Sequence, residues 1–159
     1  MLKLIKENLN RQSKAVALLG TLLEEEFSRL MNRKPQSVTQ IEFIIQELMR
    51  QIASERMSLR GIIKRVDSSA ARLGQILPQL DDADREYMEG KVAEIDKLEQ
   101  LCAVQATKNQ QLAEALLKQS QSLLSFLHKE IQPKNQNVYS ARGRYEVSTP
   151  NPSLINGRL

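Results

Sequence analysis

Apolar residues recur every three or four positions through most of this chain. Between residues 2 and 31 they fall at Leu2, Ile5, Leu9, Val16, Leu19, Leu22, Leu23, Phe27 and Leu30. That spacing lines one face of a helix. A polar gap around Gln12 and Ser13 interrupts the stripe, and Glu24-Glu25-Glu26 belongs to the other faces. Pro35 ends the segment, because proline disfavours a helical residue before it. Ser37-Val38-Thr39-Gln40 matches a capping box, so a second helix is expected to open at Ser37. Its stripe reads Ile41, Ile44, Ile45, Leu48, Ile52, Leu59, Ile62, Ile63 and Val66, with a more polar middle at Ala53-Ser54-Glu55-Arg56.

The stretch from Asp67 to Leu80 reads as a connection with a short helix of its own. Ala70, Ala71, Leu73, Ile76 and Leu77 supply its apolar side, Asp67 or Ser68 its cap, and Pro78 its end. A third helix starts at Asp81-Asp82-Ala83-Asp84, where acids suit the positive end of the helix dipole. No proline follows until Pro133, so this helix extends to about Ile131. Met88, Ile95, Leu98, Cys102, Leu112, Leu116, Leu123 and Leu127 keep close to a heptad spacing. Gln105, Asn109 and Gln119 interrupt that seam. They either fix register from inside it or lie at its edge facing solvent.

These elements predict an all-α fold: an antiparallel bundle of three main helices with a short connecting helix and a long third helix. Residues 1–132 form the helical domain, and residues 133–159, rich in Asn, Ser, Arg, Pro and Gly, form a mobile tail. At a rise of about 1.5 Å per residue, the first two helices reach about 45 Å each and the third about 75 Å. An up-down-up bundle therefore leaves the last ~20 residues of the third helix without partners. They carry Leu112, Leu116, Leu117, Leu123, Leu124, Phe126, Leu127 and Ile131. Three readings stay open: capture of an amphipathic helix from another protein, self-association, or a break near Asn109 or Gln119 that folds the segment back.

Composition narrows the function class. Aromatics make up 4% and Trp is absent, which argues against a thick core around a deep pocket. The net charge of +4 suggests nucleic acid until it is located. Residues 133–159 hold Lys134, Arg142, Arg144 and Arg158 against Glu146, so the remaining body is close to neutral and shows no basic stripe. No nucleic-acid partner is expected. The N-terminus lacks the apolar run of a signal peptide, and no stretch approaches the ~20 apolar residues of a membrane span. A cytoplasmic location without stable membrane insertion is the expectation.

Chemistry is sparse. His128 is the one histidine and Cys102 the one cysteine, which supplies no zinc spacing. Neither glycine-rich phosphate loop occurs. Asp81, Asp82, Asp84 and Glu86 lack the glycine and terminal glutamate of a calcium loop. No catalytic residue, metal site or cofactor is expected, and the protein is read as a binder rather than an enzyme.

Three features are similar to the FlgN family of flagellar export chaperones. One is the opening helix with Leu22-Leu23-Glu24-Glu25-Glu26. Another is the order of two helices, a short connection and one long Gln-rich helix. The last is Tyr139-Ser140-Ala141-Arg142-Gly143-Arg144, which resembles the family's tail motif of tyrosine, alanine and glycine with spacers. The resemblance implies a cytoplasmic chaperone for hook-associated (hook–filament junction) proteins of the FlgK and FlgL type. It implies binding of their C-terminal helical regions and delivery to the flagellar type III export apparatus, without ATP hydrolysis by the chaperone. In the family, client binding maps to the C-terminal part. That points to Leu112, Leu116, Leu123, Leu127 and Ile131 as client contacts. Tyr139, Ala141 and Gly143 match the tail motif and would serve client or export-gate docking. A structural protein that self-associates through the third helix is the alternative.

Overall fold

The computed structural model describes residues 1–131. Among them every regular element is helical: α1 (Leu2–Met31), α2 (Pro35–Val66), the short α3 (Leu73–Ile76) running into a 3-10 turn (Leu77–Gln79), and α4 (Asp82–Ile131). The all-α expectation holds, with a long last helix. Two compact units divide the chain, Met1–Glu114 and Ala115–Leu159; α4 contributes residues 82–114 to the first and 115–131 to the second. The expected tail, with Tyr139, Ala141 and Gly143, lies outside the described residues.

Within the first unit, cross-helix bonds set the directions. Asn8 bonds Glu55 and Arg29 bonds the Ser37 carbonyl, so α1 and α2 run antiparallel. Lys6 pairs with Asp84, Ser13 with Glu94 and Asn109 with Leu23. Both numbers rise together, so α4 runs parallel to α1. The core between them follows heptad lines: Leu9, Val16 and Leu23 on α1, Ile41 and Leu48 on α2, Met88, Ile95 and Cys102 on α4, all buried. Each such aliphatic side chain contributes roughly 1.5–3 kcal/mol when fully buried.

The tight link between α1 and α2 depends on Arg33. Its φ of 52° is the left-handed turn that closes a helix, with its N–H donating to the Leu30 carbonyl at 3.0 Å. α2 then starts at Pro35 rather than at Ser37, and no side chain caps it. Proline suits the first helical position because its fixed φ is already helical and the missing N–H would have no partner there. The Ser37 capping box is therefore corrected. Two apolar positions of the α2 stripe are corrected as well: Ile44 and Val66 are exposed. Ile41, Ile45, Leu48 and Ile52 already fill the core line, and Ile44 lies off it.

In the connection, Asp67 folds the chain as an Asx turn rather than capping a helix directly. Its Oδ1 accepts from the Ser69 N–H at 2.9 Å and the Ser69 hydroxyl at 2.6 Å, and its Oδ2 from the Gln79 amide at 3.2 Å. Those bonds, the Ser69 hydroxyl first, hold the Asp67 carboxyl below its ordinary pKa. Pro78 sits inside the 3-10 turn rather than at the end of α3.

The polar gap of α1 is filled from inside. Asn8, Gln12 and Ser13 are all buried. The Asn8 amide donates to the Glu55 carbonyl at 3.0 Å and to its carboxylate at 2.6 Å, and accepts from Gln12 at 2.6 Å. Arg11 grips the same carboxylate with two bonds of 2.9 and 3.0 Å. Ser13 donates to Glu94 at 2.7 Å. Every buried side-chain polar atom of the described residues has a partner, so the layer avoids the cost of stranded groups.

A second polar layer closes the far end of the first unit. Asn109 is buried on the Met88–Ile95–Cys102 line, and its amide donates to the Leu23 carbonyl at 2.8 Å and to Glu26 at 2.5 Å. Gln105 donates to Asn109 at 3.0 Å and is half-buried, while Gln119 is exposed. Of the three polar seam residues, Asn109 therefore occupies the register-fixing position.

Candidate functional site: an apolar helix face

Residues 115–131 of α4 form a helix with a lopsided surface. At about 100° per residue, Leu116, Leu117, Ser120, Leu123, Leu124, Leu127 and Ile131 fall within roughly 120° of arc. Six of these seven are large aliphatics. Ser120, the remaining one, donates its hydroxyl to the Leu116 carbonyl of the preceding turn at 3.0 Å. The opposite side holds Lys118, Gln121, Ser122, Ser125 and Lys129 around the Phe126 ring, as a shallow polar depression. His128 and Lys129 occupy the last turn, where cations suit the helix dipole.

The expected client contacts divide by exposure. Leu123, Leu127 and Ile131 are exposed, at 58, 42 and 59%. Leu112 and Leu116 are half-buried. Leu117 and Leu124 are also exposed and belong to the same arc, yet were not among the expected contacts. Their signal was the exact repeat of seven linking Leu117, Leu124 and Ile131. An exposed aliphatic face of this extent is unusual on a monomeric protein. It offers area and shape, with no group placed to make or break a bond.

The first unit has an apolar surface of its own. Leu18, Leu22, Phe43, Ile44 and Leu48 line a groove between α1 and α2, with Glu47 and Gln51 at its edge. Phe43 is 71% exposed. Each of these lies in an apolar doublet or triplet, such as Leu18-Leu19 or Phe43-Ile44-Ile45. A helix face can bury only one or two members of such a run.

Cys102 is buried, with Sγ 3.5 Å from the Val16 carbonyl, and burial pushes its thiol pKa up. That is the environment of an inert thiol. His128 is exposed. Among the described residues no group of three His, Cys, Asp or Glu side chains could hold a metal ion. No described helix is long and apolar enough to cross a membrane.

Electrostatics in the first unit are local. Lys6 pairs with Asp84 and lies 5.2 Å from the centre of the Tyr87 ring, and the Asp84 bond raises its pKa. Lys91 and Ser13 both donate to Glu94, which holds that carboxyl below its ordinary range. Arg56 pairs with Glu99 between α2 and α4. These contacts tie helices together and leave no converging set of perturbed groups of the kind that marks an acid–base site.

The family model described as FlgN protein matches residues 1–146. No curated protein and no solved structure matches the chain.

Proposed function

The chain belongs to the FlgN family, a family of flagellar export chaperones, and from that premise we propose a specific task for it. It binds the C-terminal helical regions of hook-associated proteins of the FlgK and FlgL type in the cytoplasm. It keeps them export-competent and hands them to the flagellar type III export apparatus. The observation that carries this reading is the aliphatic arc on residues 116–131. An amphipathic helix of a client would lay its own apolar face along it, which is helix-in-groove recognition. Leu112, Leu116, Leu123, Leu127 and Ile131 are the proposed contacts, joined by Leu117 and Leu124. Tyr139, Ala141 and Gly143 of the tail motif are proposed to dock on client or export gate.

Calorimetry of the full chain with the C-terminal region of a hook-associated protein tests this. Leu123→Glu/Leu127→Glu removes two exposed contacts without touching the buried core. Each leucine is worth roughly 1.5–3 kcal/mol when covered, so affinity should fall by about a hundredfold or more. Wild-type affinity in the double variant would place the site elsewhere. No binding by the full chain to a competent client region would refute the client assignment.

Self-association is the second reading, favoured by the heptad spacing of Leu117, Leu124 and Ile131. Sedimentation equilibrium separates the two. A dimer that the same double variant dissociates, with no client bound at any concentration, would support it.

A further inference from the structure

The C-terminal turns of α2 gather positive charge. Arg60, Lys64 and Arg65 are exposed there, and Arg72 is exposed on the connection that follows. None of the four joins an ion pair among the described residues. Helix-end electrostatics explains Lys64 and Arg65, which lie in the last turn. It explains neither Arg60, a turn earlier, nor Arg72, outside the helix. Asp67, in the same connection, already bonds Ser69 and Gln79, and the depression lining holds no acid.

These cations frame a depression lined by Met57, Arg60, Gly61, Lys64, Ala71 and Arg72. Met57 is 65% exposed beside them. Met57, Gly61 and Lys64 are spaced by four and three, so they share one face of α2. Gly61 makes the notch in that face. A Cβ added there would meet nothing within 4 Å. A glycine inside a helix is less stable than an alanine, and no neighbour in the chain needs the space.

We propose that this depression docks an acidic segment of another protein. Carboxylates of the segment pair with Arg60, Lys64 and Arg72, and an apolar side chain packs on Met57 over Gly61. Single exposed ion pairs are weak, but several converging on one apolar contact give orientation and selectivity. A nucleic acid fits less well, because the depression has no aromatic side chain on which a base could stack.

The test uses the full chain, isotopically labelled, without any client present, so its result is separate from the client reading. A short peptide alternating Glu and Leu is titrated in, alongside a Lys/Leu peptide of the same length and a thymidine oligonucleotide. The Glu/Leu peptide should shift amide resonances confined to residues 57–72. Arg60→Glu/Lys64→Glu should weaken it by roughly tenfold or more, and Gly61→Gln, whose Cβ meets nothing within 4 Å, should do the same with thermal stability kept. Equal or stronger shifts by the oligonucleotide would overturn the proposal in favour of nucleic acid. Shifts elsewhere, or a Gly61→Gln chain that binds unchanged, would overturn the site.

Discussion

Replacing Asn8 by alanine should cost more than replacing any exposed leucine of the chain. Asn8 is 0% exposed and sits between Glu55 and Gln12. Its loss removes a bond to a charged carboxylate, worth about 1.5–3 kcal/mol. It also strands the buried Gln12 amide, which costs about 1–3 kcal/mol more. A loss of roughly 3–5 kcal/mol follows, a large share of the ~5–15 kcal/mol that holds a typical domain together. Arg11 supplies the contrast. It grips the same Glu55 carboxylate with two bonds, yet its side chain is half in water. Arg11→Ala should therefore cost only about 0.2–1 kcal/mol. Urea unfolding followed by circular dichroism measures both. The decisive comparison is Asn8→Ala/Gln12→Ala. Nothing is stranded in the pair, so its cost should fall short of the summed single costs by at least about 1 kcal/mol. An Asn8→Ala chain within about 0.5 kcal/mol of wild type, or additivity within that margin, would refute the account of the layer.

Other outcomes are equally specific. Asp67 and Glu94 are held below their ordinary pKa by Ser69 and Gln79 and by Lys91 and Ser13. Their stabilisation is therefore complete above the unfolded values near ~4 and lost as pH falls through the lower folded ones. The urea midpoint should drop on acidification below pH ~4, and Asp67→Asn should flatten part of that drop; an unchanged profile contradicts the bonds. Gly90 lies inside α4, where a Cβ would meet nothing within 4 Å. Gly90→Ala should add about 0.5–1 kcal/mol and raise Tm by about 2–4 °C, seen by calorimetry. Cys102 should resist iodoacetamide in the folded protein and react fully in denaturant; fast native labelling would show that the seam opens there.

The helices were legible because their signals are redundant. α1 ends at Met31, where apolar periodicity and proline placed it. Periodicity fails where a polar side chain is inside. Gln12 and Ser13 look like a break, since no pattern of types shows that Asn8, itself bonded to Glu55, will receive Gln12, or that Glu94 will receive Ser13. The start of α2 was missed for a related reason. A capping box and a first-turn proline compete for the same few residues, and the left-handed Arg33 decides for proline by turning the chain early. Leu117 and Leu124 fall in the segment that the helix lengths leave without partners, and they are exposed; what was missed is that they share one arc with the expected contacts, which a single line of sevens does not show.

The distribution of polar groups along the heptad lines separates two kinds of surface. In residues 1–114 the apolar seam is bracketed by buried amides, Asn8 with Gln12 at one level and Asn109 at the other. A helix pair sliding by one turn would strand those groups, so the seam has one register. The arc of residues 116–131 holds no such group. Its single polar member, Ser120, is satisfied within its own helix and demands nothing of a partner. A helix laid along that arc loses little by shifting a turn. On the proposed function, clients that share an amphipathic face but differ in sequence would use the same leucines. Installing a register residue should remove that tolerance. Leu123→Asn places an amide in the middle of the arc, where a fully apolar client face leaves it unsatisfied at a cost of about 1–3 kcal/mol. Measured against several client helices, it should weaken those lacking a polar residue opposite it by roughly ten- to a hundredfold and spare those that have one. Uniform weakening across all clients would mean that the arc imposes a fixed register through shape alone.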